Sequence, residues 1–311
     1  MKKSLQRRLS EIQSEEHIVH TGLRDALFDS VGPLFDEPDR KSFPLRPSAC
    51  LKPMRDLFYD LKNFYAPGTI PKADFDARVK LIFQFGHMTE TLMKKVCAHN
   101  FSVQYDQERV KYGELVDAQG NKIELSGAID WAMELDGKLY LCDSKSIGDF
   151  PFKKAPKEEH IAQLQLYMHS DWGRANSVNA AILLYFNKNT SDIKCIQFDY
   201  DAELAQNIVD RFKKVWEYYL RDEVPPREYL AGCDWQADYS SYKDYDNIEF
   251  VEGGERRTIS ANEFSPSVGK YDKAAVRGFV EKYGNTKVAY KDASVCVVYR
   301  DGRLELAVEP E

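Results

Sequence analysis

Residues 123–146 read IELSGAIDWAMELDGKLYLCDSKS and contain two strand-like runs joined by a tight turn. Three polar residues interrupt the apolar pattern of these runs: Asp130, Asp143 and Lys145. Side chains two positions apart on a strand point to the same face, about 7 Å apart, so Asp143 and Lys145 are neighbours there. Carboxylates on a sheet can hold a divalent cation, and a lysine beside them can polarise water or a phosphate. The stretch therefore predicts a site for metal-dependent cleavage of a phosphodiester.

The sequence on either side extends this stretch into a sheet. Residues 102–112 alternate between apolar and polar, which predicts an antiparallel meander that continues into the quoted stretch. In its last strand the face that carries Leu141 becomes charged at Asp143, as expected where a strand leaves the core and enters a cleft. Two further apolar runs, 180–186 and 193–201, predict two more strands.

A helix predicted for residues 75–97 carries a carboxylate on its apolar side. Glu90 projects between Val79 and Phe83 when the helix is drawn at 100° per residue. Burying an unpaired carboxylate is costly, so Glu90 is a candidate metal ligand. The alternative is a place at the helix flank, where Glu90 reaches solvent. His87, at the edge of the same face, is a candidate ligand or a structural hydrogen-bonding residue.

A second helix begins near Lys157 and places Gln163 and Tyr167 on one face, because residues four apart are neighbours on a helix. The loop that leads into this helix is rich in lysine. Lys153, Lys154 and Lys157 could contact phosphates beside the site. A solvated loop explains these three lysines equally well.

The composition narrows the class of protein. The chain has 311 residues, with 43 basic and 50 acidic side chains and a net charge of −7. A protein that coats DNA regardless of sequence is usually basic, whereas an acidic enzyme can bind nucleic acid in a local basic groove. The longest apolar run is far too short to span a bilayer, and the basic start lacks the apolar core of a secretory signal. Six scattered cysteines indicate reduced thiols, so we expect a cytoplasmic protein with no membrane partner.

Taken in order, these motifs resemble the PD-(D/E)XK nuclease superfamily and, within it, the RecB-like and phage-exonuclease branch. The matching segments are FGHMTETLM at 85–93, GAID at 127–130, DSK at 143–145 and QLQLY at 163–167. Asp-x-Lys alone occurs in many proteins by chance, so the ordered set carries the resemblance. It implies an α/β (α+β) fold with a central mixed β-sheet flanked by helices, a restriction-endonuclease-like core.

The resemblance also divides the chain. The nuclease core is expected at residues 48–226. A helical and loop extension precedes it at 1–47, and an irregular stretch with a small α+β appendage follows at 227–311.

Residue by residue, the resemblance implies a binding site for Mg²⁺ or Mn²⁺. Asp130 and Asp143 would be direct ligands, and Lys145 would orient or activate the attacking water. Glu90 would complete the metal shell directly or through water. The backbone carbonyl of Ser144 would add another oxygen, and a Mg²⁺ ion that keeps several waters needs few protein ligands.

The resemblance also implies roles for His87, Gln163 and Tyr167. Family members often place a histidine on the first helix, which makes His87 a further candidate ligand, although Gly86 and His87 are adjacent here and the family's spacing is not kept. Gln163 and Tyr167 would contact the scissile strand or brace the lysine. Only Cys233 lies where some members carry clustered cysteines, so no iron–sulphur cluster is expected.

The activity implied is that of a deoxyribonuclease. An exonuclease would act on linear DNA, at ends or on single strands, in phage or cellular recombination, replication or DNA breakdown. A structure-specific or restriction-type endonuclease would use the same residues. A non-catalytic DNA-binding module that retains the fold is the third reading, and the intact Asp130, Asp143 and Lys145 argue against it. A homo-oligomer, or a recombination or replication partner protein, stays open beside DNA.

Overall fold

The computed structural model describes residues 26–27, 29–31, 42–73, 77–225, 228, 239–242 and 245, and the backbone of five strands between 248 and 308. The chain divides into two units, Met1–Arg40 with Phe75–Phe85 and Lys41–Asp74 with Gly86–Glu311. All predicted site residues belong to the second unit. Most of the predicted extension at 1–47 lies outside the described residues, as does Cys233, and the predicted domain boundaries stay predictions.

After a short 3₁₀ helix at Pro47–Ala49, the α-helices between residues 54 and 221 are α1 (Met54–Tyr65), α2 (Ala77–Asn100), α3 (Asp149–Lys154), α4 (Glu158–His169), α5 (Asp171–Ala175) and α6 (Ala202–Arg221). The strands of the predicted core are β1 (Ser102–Gln104), β2 (Arg109–Val116), β3 (Lys122–Ala128), β4 (Trp131–Leu135), β5 (Lys138–Ile147), β6 (Ala180–Asn187) and β7 (Ile193–Asp199). Five strands follow: β8 (Ile248–Glu252), β9 (Glu255–Ile259), β10 (Asn285–Tyr290), β11 (Ala293–Arg300) and β12 (Arg303–Val308). Across the described residues, no helix combines the length and apolar character that crossing a membrane requires.

A five-stranded sheet in the order β1-β4-β5-β6-β7 forms the centre of the second unit. β5 and β6 are parallel and the other neighbours are antiparallel, so the sheet is mixed, as predicted. A parallel pair needs a crossover connection, and α3, α4 and α5 supply it between β5 and β6. α4 packs on one face of the sheet through Leu164 and Met168, which lie in one core with Leu183 of β6. With α2 on the other face, the α+β class predicted from the sequence is confirmed.

The predicted meander is wrong in its middle strand, because residues 123–135 were expected to form one strand. β3 pairs with β2 in a separate two-stranded ribbon, whereas β4 pairs with β5 in the central sheet, so this run is divided between two sheets. Ile129 N–H donates to the carbonyl of Glu108 at 2.9 Å, and Gln107 N–H donates to the carbonyl of Asp130 at 3.2 Å. Because these bonds occupy the backbone groups where the chain leaves the ribbon, Asp130 lies in a bend between two sheets.

α2 covers the opposite face of the sheet and buries only part of the apolar face that the sequence pattern indicated, which included Phe83 and Met93. Its buried side chains are Thr89, Met93 and Cys97. Phe83, which was expected on the apolar face, is 47% exposed. Glu90 follows Thr89 and is therefore at the flank of the buried face, which is the alternative that the sequence left open.

A second core attaches the ribbon to α1 and α6. Phe58 of α1, Leu125 of β3 and Phe212 of α6 are buried together there. α6 is fixed at its start by Asp201, whose side chain accepts a hydrogen bond from Leu204 N–H at 2.9 Å and so satisfies one of the free donors of the first turn. The bend at Asp130 is thus held between two packed layers.

Candidate active site

Asp143 and Lys145 lie on the face of β5 that α4 covers, as the two-residue spacing predicted. Asp143 is 1% exposed, and its Oδ1 accepts a hydrogen bond from Lys145 Nζ at 2.8 Å. Its Oδ2 is buried and has no hydrogen-bond partner among the described residues. A buried carboxylate oxygen without a partner is unfavourable, so Oδ2 is chemically suited to bind a cation.

Asp130 reaches the same place from the bend. Burial raises its pKa well above the usual range for aspartate, and the charge of Asp143 raises the pKa further. Glu90 adds a smaller upward shift and Lys145 lowers the pKa in part. Two carboxyl groups this close share a site that favours either a proton or a cation between them.

Lys145 is charged in this setting. Burial lowers the pKa of its amine, but Asp143, Asp130 and Glu90 together outweigh burial, so the pKa lies above the usual value for lysine. Its side chain is 25% exposed. Lys145 therefore presents an ammonium, positioned by Asp143, to whatever enters the site.

Glu90 lies beside this trio but is bonded elsewhere. Its side chain is 24% exposed, and Oε1 accepts a hydrogen bond from Gln107 Nε2 at 2.9 Å. His87 is 68% exposed, with Nδ1 4.0 Å from Glu90 Oε2. Gln107 also donates its backbone N–H to Asp130, so it connects Glu90 to the bend. Gln107 was not singled out from the sequence, because a loop glutamine that bonds a distant carboxylate has the same local sequence features as one that faces solvent.

The side chains fit a small oxygen-binding cation that keeps several waters. Across the described residues, no group of three or more His, Cys, Asp or Glu side chains stands close enough together to hold a metal ion. Asp130 and Asp143 are the two carboxyl groups that could bind such a cation directly, and Glu90 interacts electrostatically with Asp130; their roles as metal ligands stay predictions. Mg²⁺ is commonly bound by one or two carboxylates with its remaining positions on water. Ser144 projects to the opposite face of β5, so its predicted contribution is restricted to its carbonyl.

Gln163 and Tyr167 line the α4 side of the carboxylate pair. Both are buried, and the Gln163 side chain hydrogen-bonds to Tyr167. Burial raises the pKa of Tyr167, and the charges of Asp130 and Asp143 raise it further, which shows that the phenol stands close to both. Of the two predicted roles, bracing the site fits these buried side chains better than direct contact with a DNA strand.

One glycine is required by this packing. A Cβ added to Gly127 would stand 2.8 Å from the ring of Pro47 and 3.0 Å from Tyr167 Cε1. Only a residue without a side chain lets β3 approach Tyr167 this closely. The glycine of the GAID segment thus has a packing role next to Asp130.

The three predicted DNA-binding lysines lie on the segment that leaves β5. Lys153 Nζ is 2.8 Å from Asp149 Oδ2, and Lys157 Nζ is 3.4 Å from Glu159 Oε1. Lys154 stands over the ring of Phe150 at 4.3 Å. Local partners therefore engage each of these lysines, and their contact with DNA stays a prediction.

Two residues near Lys145 were not singled out from the sequence. His160 Nδ1 is 2.8 Å from the hydroxyl oxygen of Tyr185, and the N–H of Lys157 donates to the same oxygen at 3.1 Å. Burial lowers the pKa of His160 to about 4, with the charge of Lys145 as the next cause. One signal was available, because His160 precedes Gln163 by three positions and shares its helix face.

Comparisons with known proteins gave only structural likenesses. No protein-family model and no curated protein matches the chain. The solved structures that it resembles include SSO0001, with 15% identity over 71% of this chain and 94% of that one and a TM-score of 0.43. A phage-related exonuclease from Haemophilus somnus 129PT has 15% identity over 57% and 93%, with a TM-score of 0.41. An alkaline exonuclease from Laribacter hongkongensis has 13% identity over 58% and 87%, with a TM-score of 0.39. Exonucleases are thus among the solved structures that the chain resembles.

Proposed function

We propose that this chain is a metal-dependent DNA nuclease that hydrolyses phosphodiester bonds, acting as an exonuclease on DNA ends or single strands. The supporting observation is the pair Asp130 and Asp143 beside the ammonium of Lys145, in which Asp143 is buried and has an unpartnered carboxylate oxygen. Phosphodiester hydrolysis needs oxygen ligands for a divalent cation and positive charge near the scissile phosphate. This one site offers both.

The protein residues have distinct roles in this reaction. Mg²⁺ or Mn²⁺ held by Asp130 and Asp143 would stabilise negative charge on the phosphate and lower the pKa of a bound water. Lys145, fixed by its hydrogen bond to Asp143, would attract the phosphate and orient the attacking water. Gln163 and Tyr167 exclude water from the α4 side of the carboxylates and hold them in place.

The experiment compares the wild-type protein with Lys145→Ala on linear and circular DNA, single- and double-stranded, with Mg²⁺, Mn²⁺ or EDTA. Lys213→Ala is the matched control, because Lys213 is an exposed lysine on α6 with an acidic partner of its own, Asp210. We expect EDTA to stop cleavage and Lys145→Ala to lower it on the order of 10²- to 10³-fold. Lys213→Ala should leave cleavage within about twofold of wild type.

The results on linear and circular DNA distinguish an exonuclease, an endonuclease and a non-catalytic DNA-binding module. Loss of linear DNA only supports the exonuclease, and nicking of circles would replace it with an endonuclease that has the same chemistry. A folded wild-type protein that cleaves none of these substrates with any metal would contradict the proposal and favour a DNA-binding module.

A further inference from the structure

A histidine–tyrosine pair adjoins the carboxylates and has no role in the chemistry described so far. His160 stands in the first turn of α4, and Tyr185 lies on β6, where it is directly opposite Lys145 in the parallel ladder. Tyr185 is fully buried, and its ring centroid is 5.6 Å from that of His160. The pair therefore connects the start of α4 to the strand beside Lys145.

The hydrogen bonds select one form of the imidazole. The hydroxyl oxygen of Tyr185 accepts the N–H of Lys157, which leaves its single proton for His160 Nδ1. If Nδ1 carried the proton instead, the Tyr185 hydroxyl hydrogen would be buried without an acceptor among these partners, at a cost of about 1–3 kcal/mol. Nδ1 is then the acceptor, and Nε2 carries the hydrogen.

Nε2–H is available to a ligand. No hydrogen bond from it to another described residue is present, and the side chain is half-buried rather than enclosed. His160 shares a helix face with Gln163 and Tyr167 and interacts electrostatically with both Lys145 and Asp143. The ammonium of Lys145 has no lone pair to accept from Nε2–H, and neither oxygen of Asp143 is hydrogen-bonded to His160, so the acceptor at this place would be an anionic oxygen that enters the site.

The same helix contains a matched pair that is far from the carboxylates. His169, in the last turn of α4, has Nδ1 2.7 Å from the hydroxyl oxygen of Tyr200 and a ring separation of 6.2 Å. Its charged neighbours are Arg174, Asp171 and Lys213 rather than the site residues. The His169–Tyr200 pair therefore serves as a control for a histidine–tyrosine hydrogen bond that has only a structural role.

We propose that His160 is a neutral hydrogen-bond donor to a phosphate oxygen of the bound DNA strand, held in that form by Tyr185. The inference rests on the proposed nuclease function and adds a substrate contact to the same site. In this proposal His160 acts through the hydrogen bond from Nε2–H and not through the packing of its ring.

Substitutions of His160 separate the two nitrogens. Glutamine places an amide N–H near the position of Nε2, whereas asparagine places one near Nδ1 and keeps only the side of the ring that faces Tyr185. Single-turnover cleavage of a labelled linear oligonucleotide with Mg²⁺ should fall about 10- to 100-fold in His160→Ala and His160→Asn, the range for a hydrogen bond to a charged group. His160→Gln should recover activity to within about fivefold of wild type.

The controls test structure separately. His169→Ala should leave the cleavage rate within about twofold, and thermal unfolding of all variants reports folding. Tyr185→Phe should lower cleavage about 3- to 10-fold, the value of one neutral hydrogen bond, with Tyr200→Phe unchanged. If asparagine restores activity and glutamine does not, or if His160→Ala cleaves like His169→Ala, the inference is overturned.

A binding measurement distinguishes this inference from the nuclease proposal. Affinity for a fluorescent single-stranded oligonucleotide in EDTA should be weaker in His160→Ala than in His169→Ala. If the variants differ in binding in this way but the wild-type protein cleaves no DNA, the phosphate contact of His160 is supported and the nuclease proposal is contradicted. Equal binding by the two alanine variants would overturn the contact even if the wild-type protein cleaves DNA.

Discussion

The two faces of strand β5 differ in kind although they share one backbone. Toward α2, Cys142 packs with Met93 and Trp131, and burial, followed by the neighbouring Cys97, raises the pKa of its thiol so that it stays protonated. Toward α4, burial also opposes charge, yet the carboxylates around Lys145 keep its amine ionised.

This difference separates stability from chemistry. The α2 face is stabilised by removing apolar surface from water. Beside the α4 face the like charges of Asp130 and Asp143 oppose folding, and a bound cation would relieve this repulsion. Changes on the α2 face should therefore affect unfolding and leave the chemistry intact. Changes on the α4 face should lower the cleavage rate, including those that also affect unfolding.

The largest expected effect is on activity. Asp143→Asn keeps the size of the side chain and removes the charge that binds the cation and holds Lys145. We expect cleavage to fall on the order of 10²- to 10³-fold and the stabilisation by added Mg²⁺ to disappear in thermal unfolding. Asp149→Asn, an exposed acid on α3, is the control. If Asp143→Asn cleaves at the wild-type rate, Asp143 has no role in cleavage.

The next effect compares adjacent residues of β6. Leu183 pairs with Asp143 in the ladder and faces α4, while Leu184 faces α2, and both are buried. Replacing either leucine by alanine should lower the free energy of unfolding by about 2–5 kcal/mol. Only Leu183→Ala should also lower the cleavage rate at a temperature where both variants are folded. Equal losses of rate would mean that the two faces are not independent.

A smaller effect of opposite sign is expected at Asp130. Its raised pKa means that the folded protein binds the proton more tightly than the unfolded chain, so ionised Asp130 destabilises the metal-free fold at neutral pH. Asp130→Asn should raise the free energy of unfolding on the order of 1 kcal/mol in EDTA. The gain should shrink as the pH falls through the folded pKa, because the wild-type carboxyl is then protonated too. Chemical denaturation at several pH values measures this, and a loss of stability at neutral pH would contradict it.

The smallest effect concerns the bond from Gln107 to Glu90. Gln107→Ala removes one hydrogen bond to the partly buried carboxylate of Glu90, worth about 0.5–1.5 kcal/mol. We expect cleavage to fall about 2- to 10-fold and the Mg²⁺ concentration for half-maximal rate to rise, because Glu90 acts at the edge of the metal shell. Gln206→Ala, whose amide also bonds an acid, should change neither quantity. No change in Gln107→Ala would mean that Glu90 needs no support.

Much of the candidate site could be predicted because its members are paired by local geometry. Asp143 and Lys145 share a face because strand side chains alternate, and Gln163 and Tyr167 share one because four residues make about one helical turn. The order of the motifs predicted the mixed sheet. The buried face of α2 could not be predicted in the same way. Phe83 and Met93 fit the same helical stripe, and only packing against the sheet determines that Met93 is buried while Phe83 is exposed.

The sequence by itself determined the carboxylates, the lysine and the strand that places two of them on one face. Only the tertiary structure decided that Asp130 lies in a bend between two sheets, that Gln107 bonds Glu90 and that His160 meets Tyr185. The last two contacts join residues 17 and 25 positions apart. Periodicity relates neighbours within one helix or strand, whereas contacts of this kind depend on how separate elements pack, which no local pattern specifies.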